Sequence, residues 1–229
     1  MSNKKHLPAD AVCSALSQAR MSTYTNALDD KDSLYEGALE LYSWNSEVSA
    51  ALLTPLHLCE VVIRNAVADA LEHTYEERWP WLQGFIQSLP DPTRTYSPRR
   101  DLQNATRSAR TTGKVIPELN FVFWQNMFTS RHDNRIWNKQ LHSVLPNLDK
   151  QIPISDSRES IYNDLQQIRM LRNRIAHHEP IFKRALHDDY SKIITLIRYR
   201  CPITAEWLDN NQQVTAVLAS NPILAALKG

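Results

Sequence analysis

Residues 35–75, YEGALELYSWNSEVSAALLTPLHLCEVVIRNAVADALEHTY, decide the fold: the composition is helical throughout and only Thr54-Pro55 interrupts it. Proline lacks an N–H and clashes with the preceding turn, so the pair either caps a second helix or kinks one long one. In the second half Leu56, Val62, Ile63, Val67, Ala70 and Leu71 recur at helical spacing. Glu60 and Arg64 stand four apart and can pair. With Asn65 they read as a buried ion pair and hydrogen-bond cluster that aligns the central helices, not as catalytic groups.

The rest of the composition agrees. The chain holds 4 glycines in 229 residues, where soluble proteins carry about 7 per cent. Folds built on phosphate loops, hairpins and bulges consume glycine, whereas helices do not. An all-α protein is expected. With 42% hydrophobic residues, 6 Trp, 8 Tyr and 5 Phe, the chain can bury a core. The formal charge of +1 announces no acidic partner by itself. Cys13, Cys59 and Cys201 are too few and too scattered for a disulfide framework or a paired metal site, which points to a reducing cytoplasm. No long apolar run or secretory leader is evident, so no membrane span is expected.

Around residues 35–75 the chain divides in sequence order. Residues 1–32 read as an N-terminal helical extension, with a helix over Leu7 to Arg20 and a polar break at Asp29 to Asp32. Residues 33–200 form the main helical domain, and residues 201–229 supply short C-terminal helices packed on it. The proline-rich loop LPDPTRTYSP (89–98) opens a stretch, Asp91 to Lys114, with six basic residues against two acidic. Arg94, Arg99, Arg100, Arg107 and Arg110 can grip nucleic acid there, although a solvated helix face is the plainer reading. Lys114 to Phe128 and Asp133 to Leu145 carry aromatic and branched residues and no catalytic pattern.

Several common chemistries are absent. Gly113-Lys114 lacks the second glycine and the hydroxyl residue of a phosphate loop. Gly-x-Ser-x-Gly, His-Glu-x-x-His and paired CxxC do not occur. His177-His178-Glu179 is a poor metal site, because adjacent helical residues diverge by about 100°.

The remaining informative stretch is RESIYNDLQQIRMLRNRIAHHE (158–179), capped by Ser155-Asp156 and stopped by Pro180. Ile161, Leu165, Ile168 and Ile175 make an apolar seam, with Arg172 filling the gap before Ile175. Gln166, Arg169, Asn173 and His177 make a polar ridge on the next face. Arginine is a permanent planar cation suited to phosphate, asparagine fixes geometry and histidine titrates near neutrality. Together they cover charge, positioning and proton transfer.

Arg172-Asn173-Arg174-Ile175-Ala176-His177 resembles the R-x(4 to 6)-H signature of HEPN ribonucleases, and LRNRIAHHEPIF (171–182) looks like their abortive-infection (Abi-like) branch. Residues 38–71, GKVIPELNFVFWQNMF (113–128) and RIWNKQLHSVLP (135–146) resemble successive blocks of that family. Arg135 with His142 also fits the spacing, but Ile136 stands where the signature has a polar residue. The resemblance implies an all-α HEPN-type helical bundle with N-terminal and C-terminal helical extensions. It further implies a cofactor-free, metal-independent endoribonuclease in phage defence or a toxin, with RNA as substrate and an antitoxin or phage-derived trigger as partner.

In that scheme Arg172, Asn173 and His177 are catalytic. His177 is general base or acid, Arg172 stabilises the phosphoryl oxygens and Asn173 orients the phosphate or the histidine. Arg169, Arg174, His178 and Lys183 extend the RNA-binding surface, and His178 also fits the spacing of the working histidine. In an ideal helix Arg172 and His177 point about 140° apart with a rise of about 7.5 Å. One motif therefore cannot focus both groups on one phosphate unless the helix end unwinds. Family members join two motifs across a dimer, so a homodimer is expected. The alternative is a non-catalytic HEPN-fold module that binds RNA or a protein partner.

Overall fold

A computed structural model describes residues 8–28 and 34–222. Its elements are α1 (Ala9–Leu16), α2 (Gln18–Thr25), α3 (Leu34–Tyr75), α4 (Gln83–Ser88), α5 (Pro98–Thr106), α6 (Thr112–Val115), α7 (Phe121–Met127), α8 (Asn138–Val144), α9 (Ile154–Ala176), α10 (Leu186–Arg200), α11 (Pro202–Asn211) and α12 (Val214–Ala219). No strand occurs among the described residues, so the protein is all-α. Asp29 to Asp32, Leu7 and the chain beyond Asn221-Pro222 lie outside the described residues.

Thr54-Pro55 does not divide α3, which runs through Pro55 as one helix of 42 residues. An interior proline forfeits a hydrogen bond and destabilises by about 3 kcal/mol. Burial on both sides offsets this: Ala38, Leu41, Val48 and Leu52 before the proline, and Leu56, Cys59, Ile63, Val67 and Leu71 after it, are all buried. These positions follow the 3-and-4 spacing of one helical face. By length and composition α3 is apolar enough to cross a membrane, its best window having mean hydropathy 1.4.

The chain forms two compact units. The first holds residues 8–28, 34–54, 174–187 and 212–222, and the second residues 55–173 and 188–211. The grouping cuts across the 1–32, 33–200 and 201–229 order of the sequence. The expected N-terminal helix is broken at Ser17 (φ 74), whose hydroxyl accepts from the Arg20 amide to start α2. In the first unit Tyr24 is fully buried, edge-on to Tyr42 with centroids 5.1 Å apart and tilted on Phe182 at 5.3 Å. Trp44 Nε1 donates to the Val217 carbonyl at 2.8 Å, tying α3 to α12.

The second unit buries an aromatic cluster. Trp79 lies edge-on to Phe85 and Trp124, and Phe128 stacks on Trp137 with centroids 4.6 Å apart. The expected helix over Asp133 to Leu145 opens as a π turn, Asp133–Trp137, before α8. Arg158 pairs with Asp133 at 3.0 Å beneath that turn, and both groups are largely buried.

Helix α9 begins one residue before its expected cap. The Pro153 carbonyl receives the Asp156 and Ser157 amides at 3.0 Å, and the Ser155 hydroxyl bonds the Asp156 carboxylate rather than capping. Ile161, Leu165, Ile168 and Ile175 are buried as expected, but Leu171 completes the seam and Arg172 is exposed. Either residue fits the rotation after Ile168. Burying leucine gains transfer energy, whereas burying a guanidinium without a partner loses hydration, and Leu171 takes the seam.

Candidate active site

Because Leu171 is buried, the next positions turn outward, and Arg169, Arg172 and Asn173, at i, i+3 and i+4, share one face of α9. They line a cleft of about 470 Å³ in the second unit, whose other walls are Glu60 of α3, Tyr96 and the segment 117–122. The Arg169 Nε donates to Gln125 Oε1 at 2.6 Å, and Gln125 is 1% exposed, so this guanidinium is braced from beneath.

The opposite wall is braced through Asp101. Its carboxylate accepts from the Tyr96 hydroxyl at 2.6 Å and from the Asn120 side-chain amide at 2.8 Å. Burial first, then Asp101, pushes the Tyr96 phenol up, so it remains a donor. Neither Arg172 nor Asn173 makes a side-chain hydrogen bond or ion pair among the described residues. Glu60 shares the cleft without pairing to Arg172 or Arg64, Asn65 is exposed, and the Arg64 Nε is buried without a partner. The expected ion-pair cluster of Glu60, Arg64 and Asn65 is therefore not formed. Glu60 faces the cleft instead.

The second half of the motif belongs to the first unit. α9 ends at Ala176, before Pro180, so His177 stands in an exposed turn and not on the ridge with Arg169 and Asn173. His178 has φ 55. Its amide donates to the Ile175 carbonyl at 3.0 Å and the Glu179 amide to the Arg174 carbonyl at 2.8 Å. That pair of bonds is the Schellman ending, normally built on glycine because a Cβ opposes the left-handed conformation. The chain places histidine there.

Three contacts hold this turn. Arg20 donates to the His178 carbonyl at 2.5 Å, Arg174 pairs with Glu179 at 3.5 Å, and the Ile181 and Phe182 amides donate to the buried Asn45 Oδ1 at 2.8 and 3.2 Å. His178 lines a cavity of about 360 Å³ within the first unit, beside Tyr24, Tyr42 and Ser46. Lys183 is exposed, its ammonium 5.7 Å from the Phe182 ring centroid.

Of the seven residues singled out in the sequence, Arg169, Arg172 and Asn173 meet in one cleft, while Arg174 lies in the last turn of α9 and His177, His178 and Lys183 on the turn and loop that follow it. Two of the five arginines of the 91–114 stretch are committed elsewhere. Arg99 donates to the Gln87 and Leu89 carbonyls at the end of α4, and Arg100 pairs with Asp91 and the Pro92 carbonyl. Arg94, Arg107 and Arg110 remain exposed.

The cleft also contains residues that motif spacing does not reveal: Tyr96, Asn120 and, behind Arg169, Gln125. Gln125 carries a signal, since a polar residue inside the apolar run 121–128 needs a buried partner. Tyr96 and Asn120 have none, because Asp101 joins them only in three dimensions. No protein family, curated protein or solved structure matches the chain.

Proposed function

We propose that the chain is a HEPN-type, Abi-like endoribonuclease, acting in the cytoplasm as an effector of phage defence or as a toxin. The observation that carries this reading is the unpaired Arg172 guanidinium, held with Asn173 and the braced Arg169 on one cleft. An uncommitted cation beside an amide and a second guanidinium suits the non-bridging oxygens of a phosphodiester. The termination of α9 at Ala176 supports it further, because ideal-helix geometry does not extend to His177.

The reaction is attack of a ribose 2′-hydroxyl on the adjacent phosphorus. His177 accepts the 2′-hydroxyl proton, Arg172 stabilises charge on the phosphoryl oxygens and Asn173 orients the phosphate. The P–O5′ bond breaks, leaving a 2′,3′-cyclic phosphate and a 5′-hydroxyl that takes up a proton. Arg174, His178 and Lys183 extend the RNA surface. A two-fold homodimer supplies a second copy of Arg172 and His177 to a composite site.

Incubation of purified protein with total RNA and chelator, followed by mapping of 5′-hydroxyl ends, tests this. Wild type is expected to produce such ends, and the Arg172→Ala/His177→Ala chain none. Equal cleavage by both chains would defeat the proposal. One feature favours a second reading, a non-catalytic RNA- or partner-binding module: Glu60 and Glu118 offset the two arginines of the cleft. Its outcome is binding without products.

A further inference from the structure

A second cavity of the same unit, also about 470 Å³, shares Tyr96 with the cleft as a lining residue. Its walls include Pro90, Pro98, Asn126, Met127, Arg131 and His132, and none of its lining residues is acidic. His132 is 4% exposed, yet its imidazole makes no hydrogen bond among the described residues. His132 lines the cavity. The Asn126 side-chain amide is likewise uncommitted, the Phe128 and Thr129 bonds going to its backbone carbonyl.

A buried imidazole without a partner is costly, and a polar cavity lining is where such a group finds one. A neutral imidazole offers one donor and one acceptor, and a primary amide offers the same pair in a plane. Burial first, then Arg131 and Arg135, lowers the His132 pKa to about 4, so the ring is neutral near pH 7. Prolines, methionine and the Tyr96 ring supply apolar contact for a flat heterocycle, and the Tyr96 hydroxyl is pinned to Asp101. The exposed Arg131 and the absence of carboxylates suit a ligand carrying phosphate rather than positive charge.

We infer that this cavity is a nucleobase subsite, in which Asn126 and His132 read the edge of a base in the nucleotide adjoining the phosphate held at Arg172. The inference rests on the RNA-cleavage reading for the identity of the polymer. It adds sequence preference to it: phosphate contacts position the strand, and base-edge contacts select where it is cut.

The test uses binding, so that it stands apart from cleavage. Fluorescein-labelled 2′-O-methyl oligonucleotides of A, C, G or U, which cannot be cut through a 2′-hydroxyl, are titrated with the full chain in chelator and followed by anisotropy. One base is expected to bind at least about tenfold more tightly than the weakest, and Asn126→Asp, which replaces the amide donor by an acceptor, to erase or invert that ratio. In the wild-type chain, the His132 imidazole NMR resonance should shift on addition of the preferred nucleoside monophosphate. Equal binding of all four oligonucleotides, an unchanged ratio in a folded Asn126→Asp chain, or an unmoved His132 resonance would each overturn the subsite. Base-selective binding by a chain that yields no 5′-hydroxyl ends would sink the ribonuclease reading and leave the subsite standing. Cleavage with no base selectivity would do the reverse.

Discussion

Acid should weaken the fold through His132 in a way that a neutral ring at the same place avoids. The residue is 4% exposed and its pKa falls from 6.5 to about 4, from burial and then from Arg131 and Arg135. In the unfolded chain the imidazole returns to its ordinary value. Between those two values the unfolded state takes up a proton that the folded state refuses, so stability falls as the pH falls. The contribution is absent above pH 6.5 and complete below pH 4. At 1.36 kcal/mol per unit the full effect is about 3.4 kcal/mol, and the part expressed between pH 7.5 and 4.5 is about 2.5 kcal/mol. Urea unfolding followed by far-UV circular dichroism at pH 7.5, 6.5, 5.5 and 4.5 measures it, with His132→Phe as the reference chain. Carboxylates titrate in both chains and cancel in the difference. Wild type is expected to lose about 2.5 kcal/mol more than the variant over this range. Parallel losses, within about 0.5 kcal/mol, would refute the assignment of a buried, neutral His132.

Substitutions at three further places probe other parts of the argument. His178→Gly removes the Cβ that opposes φ 55 and should raise the urea midpoint by about 0.5–1 kcal/mol in stability, whereas His178→Val should lower it by about 1–2 kcal/mol; a variant order reversed in the same melts would discard the left-handed turn. Asn45→Ala strands the Ile181 and Phe182 amides and is expected to lose about 2–4 kcal/mol in chemical denaturation, a loss below about 1 kcal/mol contradicting the shared acceptor. Arg158→Ala leaves Asp133 largely buried and unpaired and should lose about 3–5 kcal/mol by thermal or urea unfolding. The Arg158→Met/Asp133→Asn chain should recover most of that loss, and a double variant no more stable than the single one would mean that the pair is not the source.

The pattern of spacings made Arg169 and Asn173 visible as a ridge and Arg172 as the start of a motif, but it set Arg172 in the apolar seam rather than on their face. It did not reveal their partners. Tyr96 precedes α5, whereas Asn120 caps α7 and Gln125 lies within it, and Asp101 unites the first two through bonds between residues 5 and 19 apart. Charge counting was less informative still. Arg99 and Arg100 look like any other cations in the basic stretch, yet the carbonyls at the end of α4 and the Asp91 carboxylate occupy them. A helix stop is read from Pro180, but α9 ends four residues earlier, since His178 adopts the left-handed conformation and closes the Schellman pair.

By itself the sequence determined that the chain is helical and which stripes of α3 and α9 are apolar, since periodicity and glycine content act through local geometry. Tertiary structure decided what those local rules leave degenerate. Leu171 and Arg172 fit the α9 seam equally well by rotation, and desolvation settled the choice. Thr54-Pro55 could end a helix or sit inside one, and burial on both sides of the proline kept α3 continuous. The proposed chemistry depends on that second kind of decision: Arg172 is available to a phosphate because Leu171 occupies the core in its place.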